Sequence, residues 1–172
     1  MKLLIILVFF FTIILSANDK KTINDLSFAY GDSADDINIY RVSLKKDLNK
    51  YFFKKRYKYL PTYYESSLSY WNMKRNSHLY NLSFTPMFRY TFAKQYDYNP
   101  FIEAGIGLSY LSKNRLGTEN FGTLFQFEDV IGIGLKIQDF TVSYRFIHYS
   151  NAGITEHNSG ANVNFISISY RF

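Results

Sequence analysis

The chain has 172 residues, enough for one domain, and carries a net charge of +6 with no cysteine. The missing cysteines exclude disulfides, thiolate catalysis and cysteine-type zinc sites together. A basic balance suits nucleic acid, a membrane surface or an anionic substrate. The 20% aromatic content turns it toward a membrane, because amphipathic rings settle at head-group level.

The first predicted element is a leader. Met1-Lys2 gives a positive start, residues 3–15 are apolar apart from Thr12, and Ser16-Ala17 supply small residues before a polar stretch. That order predicts a signal peptide over 1–17 and one mature domain over 18–172. The apolar run falls short of the ~20 residues that a membrane-crossing helix needs. Leu15 is not the small residue expected three places before cleavage, which leaves the cleavage site open. The chain has no cysteine there to carry a lipid anchor.

From residue 24 onward, apolar and polar residues alternate with period two, the mark of a strand with two unlike faces. Such stretches fall at 24–31, 36–44, 62–71, 80–92, 101–110, 121–137, 140–150 and 163–172. In 101–110, Ile102, Ala104, Ile106, Leu108 and Tyr110 oppose Glu103, Gly105, Gly107 and Ser109. In 163–172, Ile166, Ile168, Tyr170 and Phe172 oppose Ser167, Ser169 and Arg171. The apolar faces are bulky and aromatic, whereas the opposite faces are rich in Gly and Ser. A sandwich core needs bulk, so this asymmetry suits a lipid-facing belt around a tight lumen. Eight strands is the smallest bacterial outer-membrane barrel. The expected fold is therefore all-β, an eight-stranded antiparallel transmembrane β-barrel, with Arg89, Glu103, Glu128, Arg145 and Arg171 pairing in a filled lumen. Pro86, on the lipid-facing parity, requires a bulge or an interrupted bond. The chain ends in an alternating strand with a terminal aromatic, Phe172, which resembles the C-terminal signal of outer-membrane barrels.

Residues 45–60 interleave Lys54, Lys55, Arg56 and Lys58 with Tyr51, Phe52, Phe53, Tyr57 and Tyr59. Such interleaving can bind nucleic acid, but in an exported barrel it marks a strand end at anionic head groups. Counting from a periplasmic N-terminus puts it on the periplasmic side and sends the end of the seventh strand outside.

That seventh strand carries the chemistry. Its lipid-facing parity runs Phe140, Val142, Tyr144, Phe146 and continues to His148 and Ser150. A His and a Ser two apart on one face, with Cα atoms about 6.5–7 Å apart, can act as base and nucleophile for acyl transfer. Polar residues near a strand end are also ordinary, costing only about 0–1 kcal/mol at the interface. His-x-Ser alone leaves both readings open.

The longer string narrows the choice. Tyr144-Arg145-Phe146-Ile147-His148-Tyr149-Ser150-Asn151-Ala152-Gly153-Ile154, followed by Asn158-Ser159-Gly160, closely resembles the lipid A 3-O-deacylase (PagL) family. So do Pro100-Phe101-Ile102-Glu103-Ala104-Gly105-Ile106-Gly107 and Phe125-Gln126-Phe127-Glu128-Asp129-Val130-Ile131-Gly132. The resemblance implies an outer-membrane barrel that removes the 3-position hydroxyacyl chain of lipid A. It implies His148 as base and Ser150 as nucleophile, with an oxyanion site from Asn151, Ala152, Gly153 and Asn158. Gly153 permits a turn that aims amides at one point. Asn158-Ser159-Gly160 has the composition of a plain turn as well.

One position departs. The family's best-known third member is Glu, and the matching residue here is Asn162. An amide can hold an imidazole by a hydrogen bond but cannot balance its charge. Glu156 is an alternative carboxylate in the connecting loop, and His78 and His157 read as loop residues. The expected substrate is lipid A of lipopolysaccharide, with no cofactor, metal or nucleic acid, and a homodimer stays open. Two further readings remain: a non-catalytic barrel with a structural or adhesive role, and an acyltransferase on the same scaffold.

Overall fold

Alternation with bulk on one face and Gly, Ser and charge on the other has one stable solution in lipid, a sheet closed on itself. The computed structural model shows that solution. It describes residues 23–33, 36–48, 62–73, 77–92 and 97–172. The leader at 1–17 and most of the basic–aromatic segment, 49–61, lie outside the described residues.

The strands are β1 (Asp25–Ser33), β2 (Ile37–Leu48), β3 (Thr62–Met73), β4 (Ser77–Thr91), β5 (Tyr98–Leu111), β6 (Arg115–Leu116), β7 (Glu119–Asn120), β8 (Phe125–Ile137), β9 (Phe140–Ser150) and β10 (Ala161–Arg171). Eight of them form a closed barrel in the order β1-β10-β9-β8-β5-β4-β3-β2, every pair antiparallel. β6 and β7 make a small hairpin within the β5–β8 connection, which the period-two pattern is too short to reveal. The strand expected from residue 121 starts at Phe125. Residues 121–124 are loop, with Gly122 at φ +75° and Phe121 turned inward onto Trp71. Around Pro86 the β4–β5 ladder keeps one register, Phe84 facing Leu108 and Met87 facing Gly105, but skips two residues. The proline interrupts the bonding without a bulge.

The outward face is largely apolar along mid-barrel. Ile106, Ile131 and Ile166 are 69%, 62% and 65% exposed. A belt of this kind around a whole molecule is stable against lipid and not against water.

The lumen is filled in two layers. One is ionic, with Arg41, Lys45, Arg89 and Arg145 against Glu65, Glu103 and Glu128. Arg41 grips Glu128 at 2.8 Å through both terminal nitrogens, and Arg145 reaches Glu103 at 2.7 Å and Glu65 at 2.9 Å. Inward glycines make room for these bonds. Gly132 stands between Glu103 and Arg145 in the same rung, and a Cβ there would lie 2.9 Å from Arg145 Cγ. Gly107 likewise opens the path by which Thr85 Oγ1 donates to Glu128 at 2.7 Å across β5. The second layer, toward the β9–β10 loop, is apolar: Ile37, Ile39, Trp71, Leu79, Leu111 and Phe121 are all buried. The sequence pattern underweights this plug and also Arg41, Lys45 and Glu65. Arg171, expected in the lumen, is instead at the opposite mouth. It pairs there with Asp25 at 2.7 Å and Asp47 at 2.9 Å, with about a third of its side chain exposed.

Candidate active site

The last turn of β9 carries three side chains with different duties. Tyr149 points inward, fully buried, its ring 4.8 Å from that of Trp71 and its hydroxyl accepting from Arg41 at 2.9 Å. Its neighbours must then point outward, because strand side chains alternate. His148 and Ser150 do so, both half-buried on the lipid-facing side at the barrel rim. The lumen lock thus fixes the orientation of the outer pair.

Asn162 on β10 is the register partner of His148. Its Oδ1 lies 2.7 Å from His148 Nδ1. A carbonyl acceptor there requires the Nδ1–H tautomer and leaves the Nε2 lone pair free for a proton. Neither Nε2 nor Ser150 Oγ bonds another described residue. Glu156 lines a separate loop hollow with Arg115, Thr155 and His157. His148 Nδ1 is therefore held by Asn162.

Beyond Ser150 the chain turns at once. Ile154 N donates to Asn151 O at 3.1 Å, and Ala152 and Gly153 both have positive φ, 53° and 78°. This is the geometry of a type I′ turn. Alanine is uncommon there, although Gln138 in the short β8–β9 turn has the same φ of 53°. The buried Asn151 side chain ties the loop together. Its Nδ2 donates to Phe121 O at 3.0 Å and His157 O at 2.7 Å, and its Oδ1 accepts from Gly153 N at 2.8 Å. Asn158 Oδ1 accepts from Asn151 N at 3.0 Å. Two of the three turn amides are thus engaged within the loop. Ala152 N–H and the Asn158 side-chain NH2 remain as donors. His78 stacks near Tyr70 and lies apart from this group.

Below His148, an open groove of about 650 Å³ runs along the outer wall, bordered by Asp129, Ile131, Phe146, Ala104, Ile106 and Phe88. Small Ala104 between Ile102 and Ile106 makes the dent. Asp129 on β8 is the register partner of His148 on the side away from Asn162. Its parity puts it on the apolar face with Phe127 and Ile131.

Comparison with known proteins decides the family. A family model described as lipid A 3-O-deacylase (PagL) matches residues 38–171. The chain belongs to the PagL family. A PagL lipid A deacylase of Pseudomonas aeruginosa is 38% identical over 138 residues, 79% of each chain. One of Bordetella bronchiseptica is 33% identical over 112 residues, 63% of this chain and 61% of that protein. The crystal structure of the outer membrane enzyme PagL superposes with a TM-score of 0.78 at 35% identity, covering 86% of this chain and 99% of that one. A designed transmembrane β-barrel shares only the fold, with a TM-score of 0.55 at 12% identity.

Proposed function

We propose that this barrel works in the outer membrane as a lipid A 3-O-deacylase, with Ser150 as nucleophile and His148 as base. The observation that carries the assignment of residues is the outward His148–Ser150 pair at the rim, with Asn162 Oδ1 on the imidazole at 2.7 Å. His148 Nε2 takes the hydroxyl proton as Ser150 Oγ attacks the ester carbonyl. The oxyanion forms beside Ala152 N–H and the Asn158 amide, donors set before the charge develops. Collapse breaks the ester C–O bond, and the imidazolium returns its proton to the departing sugar 3-hydroxyl. Water, deprotonated by His148, then attacks the acyl-enzyme, releases the 3-hydroxy fatty acid and restores Ser150. The hydroxyacyl chain lies in the Ala104 groove, and the rim site faces the outer leaflet. Residues 1–17 serve export.

The test is mass spectrometry of lipid A from cells making the protein. Wild type removes one 3-hydroxyacyl chain. Ser150→Ala and His148→Ala, inserted at equal levels, each lower turnover by at least ~10³-fold, since the two groups act as a unit. Unchanged lipid A with a folded wild-type barrel overturns the assignment, and a gain in lipid mass points to acyl transfer.

A further inference from the structure

The Phe121 carbonyl joins the lumen to the loop that follows Ser150. Three N–H groups converge on this one oxygen. Thr123 N donates at 2.8 Å from the same loop, Gln126 Nε2 at 3.1 Å from β8, and Asn151 Nδ2 at 3.0 Å from the end of β9. A carbonyl oxygen offers two lone pairs, so this acceptor is used in full. The Thr123 bond spans two residues and encloses Gly122, whose φ is +75°. That is the rarer, strained form of the γ-turn. Such a backbone persists only where its surroundings over-determine it. Gln126 provides this from below, its side chain fully buried on the inward face of β8. Its Nε2 reaches both ends of the turn, Phe121 O and, at 2.9 Å, Thr123 O. Two carbonyl acceptors settle which end of the carboxamide is the NH2. On the other side of the turn, a Cβ at Gly122 would collide with His157 O and Thr155 Oγ1, so the β9–β10 loop rests directly on it.

Asn151 carries the connection onward. Its Oδ1 accepts from Gly153 N at 2.8 Å, and its own N–H donates to Asn158 Oδ1 at 3.0 Å. A continuous chain of hydrogen bonds therefore runs from Gln126 through Phe121 O and Asn151 to the turn after Ser150. We propose that Gln126 is a positioning residue for deacylation. It fixes the Phe121 carbonyl from inside the barrel, and through Asn151 it sets the turn whose Ala152 N–H and Asn158 amide face the oxyanion. Donors of this kind work only if they are in place before charge develops. With the Gln126 NH2 removed, the γ-turn loses the one group that ties its two ends together, and Asn151 loses a fixed partner. The proposal rests on Ser150 as nucleophile and on the oxyanion site beside it.

The experiment is a double-mutant cycle on the full-length purified barrel in detergent, measuring release of 3-hydroxy fatty acid from lipid A. Folding is checked by heat-dependent gel mobility and by the urea midpoint. Gln126→Met keeps the length of the side chain and removes its NH2. It is expected to lower kcat roughly tenfold with KM changed less than about twofold, the pattern of an interaction realised in the transition state. Groups that act along one hydrogen-bonded chain are not additive, so in the Asn151→Ala background Gln126→Met should cost less than about a further twofold. A side chain that merely stabilised the plug would lower the urea midpoint and show its full effect in both backgrounds. A wild-type kcat in Gln126→Met, or effects that multiply in the double variant, overturns the proposal. If Gln126→Met does not fold, Gln126→Asn, too short to span both carbonyls, takes its place with the same expectation. Failure of both to fold makes Gln126 structural and overturns the proposal as well. Ser150→Ala separates the two layers. If it is inactive while Gln126→Met is normal, only this inference fails. If Ser150→Ala stays active, the catalytic assignment beneath it fails too.

Discussion

At the residue scale, the site depends on Asn151 as much as on the groups that would touch substrate. Its side chain spans the loop from Phe121 to His157 and takes the Gly153 amide. Each unsatisfied buried group costs about 1–3 kcal/mol. Asn151→Ala should release the turn after Ser150 and lower deacylation by at least ~10-fold. The strands would be intact, so heat-dependent gel mobility should stay near wild type. A drop in barrel stability matching the loss of activity would contradict this. Gly153→Ala isolates backbone strain, because a Cβ there meets nothing within 4 Å while φ is +78°. The strain is about 1–2 kcal/mol, and fatty-acid release should fall while Asn151 keeps its bonds. The outward placing of His148 and Ser150 was legible in the sequence from parity, and Asn162 beside His148 from the position it matches in the family resemblance. The internal bonding of Asn151 was not, because its partners come from Phe121 and from a loop of irregular shape. Asp129 is visible from parity alone, as a charge among apolar neighbours.

At the scale of elements, the outer site is held from inside. Glu128 and Tyr149 are register partners on β8 and β9, and Arg41 from β2 bonds both. Glu128→Gln leaves Arg41 with Glu65 at 3.3 Å as its remaining acidic partner among the described residues, and breaking a buried pair costs about 3–5 kcal/mol. The expected result is a lower unfolding midpoint in urea, with activity lost in parallel because β9 loses its anchor. Gly132→Val should act similarly by pushing into the Glu103–Arg145 bond; normal stability in that variant would mean that the bond rearranges freely. The number and faces of the barrel strands were readable from alternation, which reports burial on two sides of a sheet. The lumen partners were not, since Arg41, Glu65 and Arg145 come together only through strand order and stagger. The β6–β7 hairpin, two residues per strand, is too short for any period.

At the scale of the whole molecule, the barrel reverses the usual arrangement of an enzyme. The interior is ionic and packed, while His148 and Ser150 stand on the outer surface, so on the proposed assignment substrate comes from the membrane itself. On the proposed assignment the groove below His148 is the acyl pocket, and its floor lies on two adjacent rungs. His148, Asp129 and Ile106 form one; Phe146, Ile131, Ala104 and Phe88 form the next. Only Ala104 in the second rung is small, so a chain leaving the ester passes over it before reaching bulk lipid. Ala104→Phe fills this passage without touching the lumen, because residue 104 faces outward. A phenylalanine in lipid is no less at home than alanine, so barrel stability should stay within ~0.5 kcal/mol of wild type. Catalysis should change selectively. Esters with short acyl chains end before the obstruction and should react near the wild-type rate. Long 3-hydroxyacyl esters must bend around it, so their turnover should fall relative to that of short ones. The ratio of long-chain to short-chain kcat/KM, measured in one detergent, reads this directly. An unchanged ratio would mean that the chain leaves Ser150 by another route, away from the Asp129 rung.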